Sequence, residues 1–137
     1  MLYRVRARLP DTPGTLAAVA QACGRAYVNI LGVYAYQADE GTVTDDFVVD
    51  APERWTARDL EDLIRSAGGN GITVTAASQH DVGDETSRWL AAALAVVRDP
   101  ASLDAQIDGL SNPALPATGV EIGRVSLLRR IAEAAAR

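Results

Sequence analysis

Lysine is absent from this sequence, and cysteine and histidine occur once each. With Cys23 alone, no intramolecular disulfide can form and no cysteine-based structural metal site can be assembled, which fits a reducing compartment. Nucleophile-and-base catalysis needs a hydroxyl or thiol within reach of a histidine. His80 is the only one, and in the polar joint Ser78-Gln79-His80-Asp81 it reads as a solvated linker residue. All 13 basic residues are arginine, which with abundant alanine marks codon bias and carries no function. The formal net charge of -5 denies the chain the positive field that holds nucleic acid. No stretch approaches the roughly 20 apolar residues of a membrane span. Met1-Leu2-Tyr3-Arg4-Val5-Arg6 also lacks the apolar centre of a signal peptide. The expectation is a cytoplasmic protein with neither nucleic acid nor membrane as partner.

Further chemistry is missing. Gly68-Gly69-Asn70-Gly71 has no following Lys and Ser or Thr and ends a helix, so it is not a phosphate loop. Asp45 and Asp46 are adjacent on a strand, point to opposite faces and cannot act as a carboxylate pair. Cys23 lies on an apolar helix face, where a thiol is buried and inert. Trp55 and Trp89 have no basic patch beside them and read as core or interface anchors. No catalytic residue, metal ligand set or cofactor is expected.

What is present is enough for a core. The chain has 137 residues, 48% hydrophobic and 23% charged, which suits one compact domain or a small domain with an appendage. Residues 2–9 alternate, with Tyr3, Val5, Ala7 and Leu9 on one side and Arg4, Arg6 and Arg8 on the other, which is a half-buried strand. Pro10-Asp11-Thr12-Pro13-Gly14 breaks it. A helix over residues 15–26 then places Leu16, Val19, Ala20 and Cys23 on one face. Residues 28–37 form a second strand, in which Gly32 permits a bulge. A turn at Asp39-Glu40-Gly41 leads to residues 42–49, where Val43, Phe47 and Val49 oppose Thr44, Asp46 and Asp50 and Asp45 is the misfit on the apolar side. Thr56 caps a second helix carrying Leu60, Leu63, Ile64 and Ala67, and residues 72–76 supply the last strand, with Ile72, Val74 and Ala76 inward.

The order is β-α-β-β-α-β, an α+β, ferredoxin-like arrangement with two helices on one sheet face. The other face carries the arginines beside Asp46 and Asp50, and reads as a neutralised surface in preference to an anion site. After His80 the pattern turns helical. A polar start, Gly83-Asp84-Glu85-Thr86-Ser87, leads to a stripe of Trp89, Leu90, Ala93, Leu94 and Val97. Asp99 and Pro100 begin another helix with Leu103, Ile107 and Leu110, and residues 111–119 are loop. A last helix from about Gly123 carries Val125, Leu128, Ile131, Ala132 and Ala135. The division expected is residues 1–79 and a helical extension, residues 80–137, whose apolar stripes must be buried against something.

Leu9-Pro10-Asp11-Thr12-Pro13-Gly14-Thr15-Leu16, then Val28-Asn29-Ile30, then Asp45-Asp46-Phe47-Val48-Val49-Asp50 resemble the ACT domain family of regulatory amino-acid-binding modules, over residues 1–78. The resemblance implies a small ligand, commonly an amino acid, held between paired domains by the first turn and the second strand. Carried onto this sequence, the ligand-binding residues are Asp11, Thr12, Pro13, Gly14, Thr15, Leu16, Asn29, Ile30 and Leu31. The free N–H groups of a helix start favour a carboxylate there, and Gly14 removes a Cβ from the approach. The structural reading stands beside it: Asp11 or Thr12 caps the helix, Gly14 serves the turn, and Asn29 satisfies a local backbone group. The expectation is a non-enzymatic, allosteric, homodimeric regulator. Its alternative is a ligand-free dimerisation or protein-docking module using the C-terminal helices. A small enzyme on the open sheet face, with Arg4, Arg6, Arg8 and Asp46, ranks last.

Overall fold

A computed structural model describes residues 1–37, 41–82, 85–111 and 117–137. The expected turn at Asp39 and Glu40, the side chain of His80, Gly83 and Asp84 of the polar start, and most of the 111–119 loop lie outside the described residues. The chain divides into two compact units, Met1–Val82 and Gly83–Arg137.

In the first unit, alternation and turn residues produce β1 (Leu2–Pro10), α1 (Thr15–Arg25), β2 (Asn29–Gln37), β3 (Thr42–Asp50), α2 (Ala57–Ser66) and β4 (Asn70–Ala76), followed by a 3₁₀ turn at Gln79–Val82. The strands lie in the order β2-β3-β1-β4, and every neighbouring pair is antiparallel. This is the ferredoxin-like arrangement that the order of elements implied. The β2 register skips between Ile30 and Gly32, the irregularity expected at that glycine.

One sheet face carries the core. Tyr3, Val5, Ala7, Leu9, Phe47 and Val49 from the central strands pack with Val19 and Cys23 of α1 and Leu60 and Ile64 of α2. Burial pushes the Cys23 thiol above its ordinary pKa, so it stays protonated and unreactive. α2 starts as expected: Thr56 accepts from the Asp59 N–H while the Asp59 carboxylate accepts from the Thr56 N–H. It stops at Gly68, whose φ of 106° lets the Gly69 N–H reach back 2.9 Å to the Ile64 carbonyl. α1 differs from the sequence reading. Leu16 and Ala20 are exposed, and the buried seam runs through Val19 and Cys23 with Ala22 and Ala26 half-buried. Alanine occurs all round this helix, so periodicity alone constrains its face weakly. Ala76 is likewise exposed, at the outer end of β4.

The opposite face is held by charge. Arg6 is 3% and Asp46 1% exposed, and the register sets them directly across β1 and β3. Arg6 donates through Nε at 2.5 Å and Nη2 at 2.6 Å to the two carboxylate oxygens, and Arg4 adds a third donor at 2.8 Å. The Arg6 guanidinium also lies over the Tyr36 ring at 5.9 Å. Asp50 does not join this group. Its register partner is Leu2, and it takes the N-terminal ammonium at 2.9 Å.

The second unit comprises α3 (Glu85–Arg98), a 3₁₀ turn (Pro100–Ser102), α4 (Leu103–Leu110) and α5 (Gly119–Ala135). Asp99 caps the 3₁₀ turn through the Ala101 N–H, with Pro100 at its first position. Two readings need correction. α5 begins at Gly119, four residues before the expected start, because Thr118 and Glu121 form a reciprocal cap there. α3 buries Ala92 and Val96, while Leu90, Leu94 and Val97 of the expected stripe are exposed. α3 packs on α5, which buries Leu128 and Ala132, and small residues at both seams permit close approach. No helix among the described residues is long and apolar enough to cross a membrane.

Removing one member of the buried pair strands the other. Asp46→Ala is expected to lower unfolding free energy by about 3 to 5 kcal/mol. Arg6→Met combined with Asp46→Leu should recover most of that loss. Urea denaturation of both variants checks it, and a double variant as unstable as the single one would show that the pair is not what is lost.

Candidate ligand site at the first turn

The turn between β1 and α1 is shaped by its own backbone. The Asp11 N–H donates to the Gly41 carbonyl at 2.8 Å, tying the turn to the start of β3, and Thr12 N–H reaches the Pro10 carbonyl at 2.9 Å. Gly14 is the N-cap residue of α1, with φ 92°. A Cβ there would meet nothing within 4 Å, so the glycine is required by conformation and not by crowding from the protein itself. The Thr12 and Thr15 hydroxyls share a hydrogen bond of 2.9 Å.

No side chain caps α1, so neither Asp11 nor Thr12 fills the capping role. Thr15 N–H is used by the Thr12 carbonyl at 3.3 Å and Ala18 N–H by the Gly14 carbonyl at 3.0 Å. Helix geometry leaves the intervening N–H groups of Leu16 and Ala17 without an intrahelical acceptor. They sit at the positive end of the helix dipole, beside two hydroxyls and in an exposed turn. An anionic group fits this end.

The structure brings Asp11, Thr12, Pro13, Gly14, Thr15 and Leu16 together, and it does not bring Asn29, Ile30 and Leu31 to them. Asn29 pairs with Asp50, and Leu2 also pairs with Asp50, whereas Pro10 pairs with Thr42 at the far end of the sheet. The 11 residues of α1 separate the two groups, about 16 Å at 1.5 Å per residue. Asn29 and Leu31 are exposed at the edge strand, while Ile30 packs against the core.

Asp45 lies between the two groups and nearer the turn. It shares the helix-bearing face with Phe47 and Val49, and its register neighbours are Ala7 and Ala35. It is 5% exposed. Burial, with Asp46 and Asp11 adding like charge, raises its pKa above the ordinary value of 3.8. The sequence marked Asp45 only as a misfit, and that misfit was the available signal. No group of three metal-ligating side chains occurs among the described residues.

No family model matches the sequence, and no curated protein matches it. Among solved structures, the chain is similar to an ACT domain protein from Streptococcus pneumoniae at 18% identity, over 56% of this chain and 89% of that one, with a TM-score of 0.45. It is similar to the ACT domain from GTP pyrophosphokinase of Chlorobium tepidum at 17% identity, over 55% and 97%, with a TM-score of 0.44. A formyltetrahydrofolate deformylase from Pseudomonas putida matches at 12% identity and a TM-score of 0.46, over 56% of this chain and 29% of the enzyme. The chain therefore spans less than a third of that enzyme. Independently of these likenesses, the strand order and helix placement of the first unit make it ferredoxin-like, the arrangement expected of an ACT-like fold.

Burying a carboxylate destabilises the protein that contains it. The folded form holds the Asp45 proton at pH values where the unfolded chain, titrating near 3.8, has released it. Stability contributed at this position is therefore lost as pH rises from that value through the raised pKa. Asp45→Asn is expected to raise stability at pH 7 by on the order of 1 kcal/mol. It should also remove this fall from the stability–pH profile. Denaturation of both proteins between pH 3.5 and about pH 7 measures it, and a variant less stable than the parent at neutral pH would contradict it.

Proposed function

We propose that the protein is a non-enzymatic, cytoplasmic regulatory module that binds a small carboxylate-bearing molecule of the amino-acid class between two copies of the chain. The observation that carries this reading is the uncapped start of α1, where Gly14 in the left-handed conformation presents free N–H groups beside Thr12 and Thr15. The separation of residues 29–31 from the turn supports the pairing. β2 is an edge strand, and antiparallel pairing of two β2 edges sets each chain's Asn29 end beside the other chain's α1 turn. One ligand then meets residues from both copies, with Asn29 supplying an amide donor and acceptor and Leu31 an apolar wall.

A second reading, ligand-free pairing through the helical unit, draws on the exposed α3 stripe of Leu90, Leu94 and Val97. A thermal-shift screen of the purified chain against amino acids and related acids separates the two. Ligand at 100 times its dissociation constant stabilises by about 2.7 kcal/mol. Asn29→Ala, at an exposed position, should leave the unliganded transition unchanged and weaken binding by about tenfold. No shift at millimolar concentrations, together with a dimer that Leu94→Glu dissociates, would replace the first reading by the second.

A further inference from the structure

α3 has two apolar faces. At about 100° per residue, Leu90, Leu94 and Val97 lie roughly 150° round the helix from Ala92 and Val96, which α3 buries in packing on α5. Their spacing, four residues and then three, is that of a helix–helix seam. α5 repeats the pattern. Val120 and Leu127, seven residues apart, lie about 110° round from its buried Leu128 and Ala132. These five residues are between 40% and 65% exposed.

Side-chain contacts fix where the two stripes lie. Glu85, the first residue of α3, pairs with Arg124 near the start of α5 at 3.4 Å, and the Arg124 guanidinium lies over the Trp89 ring at 5.6 Å. The two helices therefore start at the same end and run parallel. Arg88 donates to the Gly109 carbonyl at the end of α4 at 3.4 Å, from the side of α3 opposite Leu90 and Val97. In a parallel pair the same angles put Val120 and Leu127 on the side of Leu90 and Val97. The five residues thus form one apolar face across α3 and α5, with α4 on the far side of the pair. Among the described residues, the charge between the stripes is Arg124, which Glu85 neutralises.

A second copy of the chain is the occupant that this face fits. Each copy offers roughly 400 Å² of exposed apolar surface there, as large as monomeric proteins ordinarily leave open. Two copies bury roughly 800 Å², and since homodimer interfaces are about 65% apolar the whole contact comes to roughly 1,200 Å², enough for a stable interface. A face without net charge meets its own copy without repulsion. The parallel dipoles of α3 and α5 reinforce one another. A copy related by a two-fold axis perpendicular to the helices runs the other way and opposes them, as in an up-and-down four-helix bundle.

We propose that two copies of the chain associate, antiparallel, through the exposed face shared by α3 and α5. This deepens the reading of pairing through the helical unit, and it holds whether or not the first turn takes a ligand.

The test is the mass of the full chain by sedimentation equilibrium over a range of concentrations. Leu94→Glu on α3 and Leu127→Glu on α5 should each halve the mass found for the parent. Ile122→Glu should leave it unchanged, because Ile122 is just as exposed but lies on the α4 side of α5. All three positions are at the surface, and circular dichroism confirms that each variant keeps its helices. A monomeric parent, or a mass that either of the first two variants leaves unchanged, overturns the proposal; in the latter case the copies pair elsewhere, as at the β2 edge. A monomeric parent that binds anionic phospholipid vesicles, and loses that binding in Leu94→Glu, assigns the face to a lipid surface and overturns it as well. The amino-acid screen is read separately, and a ligand shift that persists in Leu94→Glu leaves the first-turn reading standing.

Discussion

The pairing of β3 against β1 governs what every other residue of the first unit can do. With Arg6 opposite Asp46, the central strands place Val5, Ala7, Leu9, Phe47 and Val49 under the helices and Arg4, Arg6 and Asp46 on the outer face. A slip of one residue would exchange those faces. It would also leave a buried guanidinium without its carboxylate, so the bidentate Arg6–Asp46 pair penalises the slip as strongly as the apolar residues do. The same register consigns Asp45 to the helix side. Adjacent acidic residues thus meet opposite fates: one is neutralised by two arginines, and the other is buried among alanines and apolar side chains.

Helix starts show a second contrast. α2 and α5 each close their first turn with a reciprocal threonine and acid cap, and the Asp59 carboxyl is held below its ordinary pKa by the Thr56 N–H and hydroxyl it accepts from. α1 has no such device. Its N-cap is a glycine in the left-handed conformation, and its first turn has no acidic residue. α2 and α5 satisfy end groups within the chain, while α1 leaves them to whatever comes from outside. Water can serve, and so can a ligand carboxylate; the exposed threonine hydroxyls beside the turn suit the latter.

Much of the first unit was legible because its signals are strong. Period-two alternation in β1 and β3, the bulge at Gly32, the Thr56 cap and the glycine stop after α2 each rest on residues with few alternatives. Alanine defeated the reading of helix faces. In α1 and α3 it lies on all sides, and a helix seam built from Ala92 and Val96 leaves the larger Leu90 and Leu94 outside, opposite to what hydrophobicity ranks. The candidate site was half legible. The turn residues are contiguous in sequence and stay together in space. Residues 29–31 were joined to them by the resemblance, as the contribution of a paired domain, and within one chain they begin at the other end of the sheet.

That separation and the burial of Asp45 bear on the same question. Were the first turn merely a chain reversal, a threonine or aspartate cap would stabilise it, and the strand beneath would gain from valine in place of Asp45. The chain has neither improvement. A left-handed glycine leaves helix N–H groups open, and three register pairs along the sheet an aspartate is largely buried on the helix-bearing face. Each departure costs folding free energy by itself.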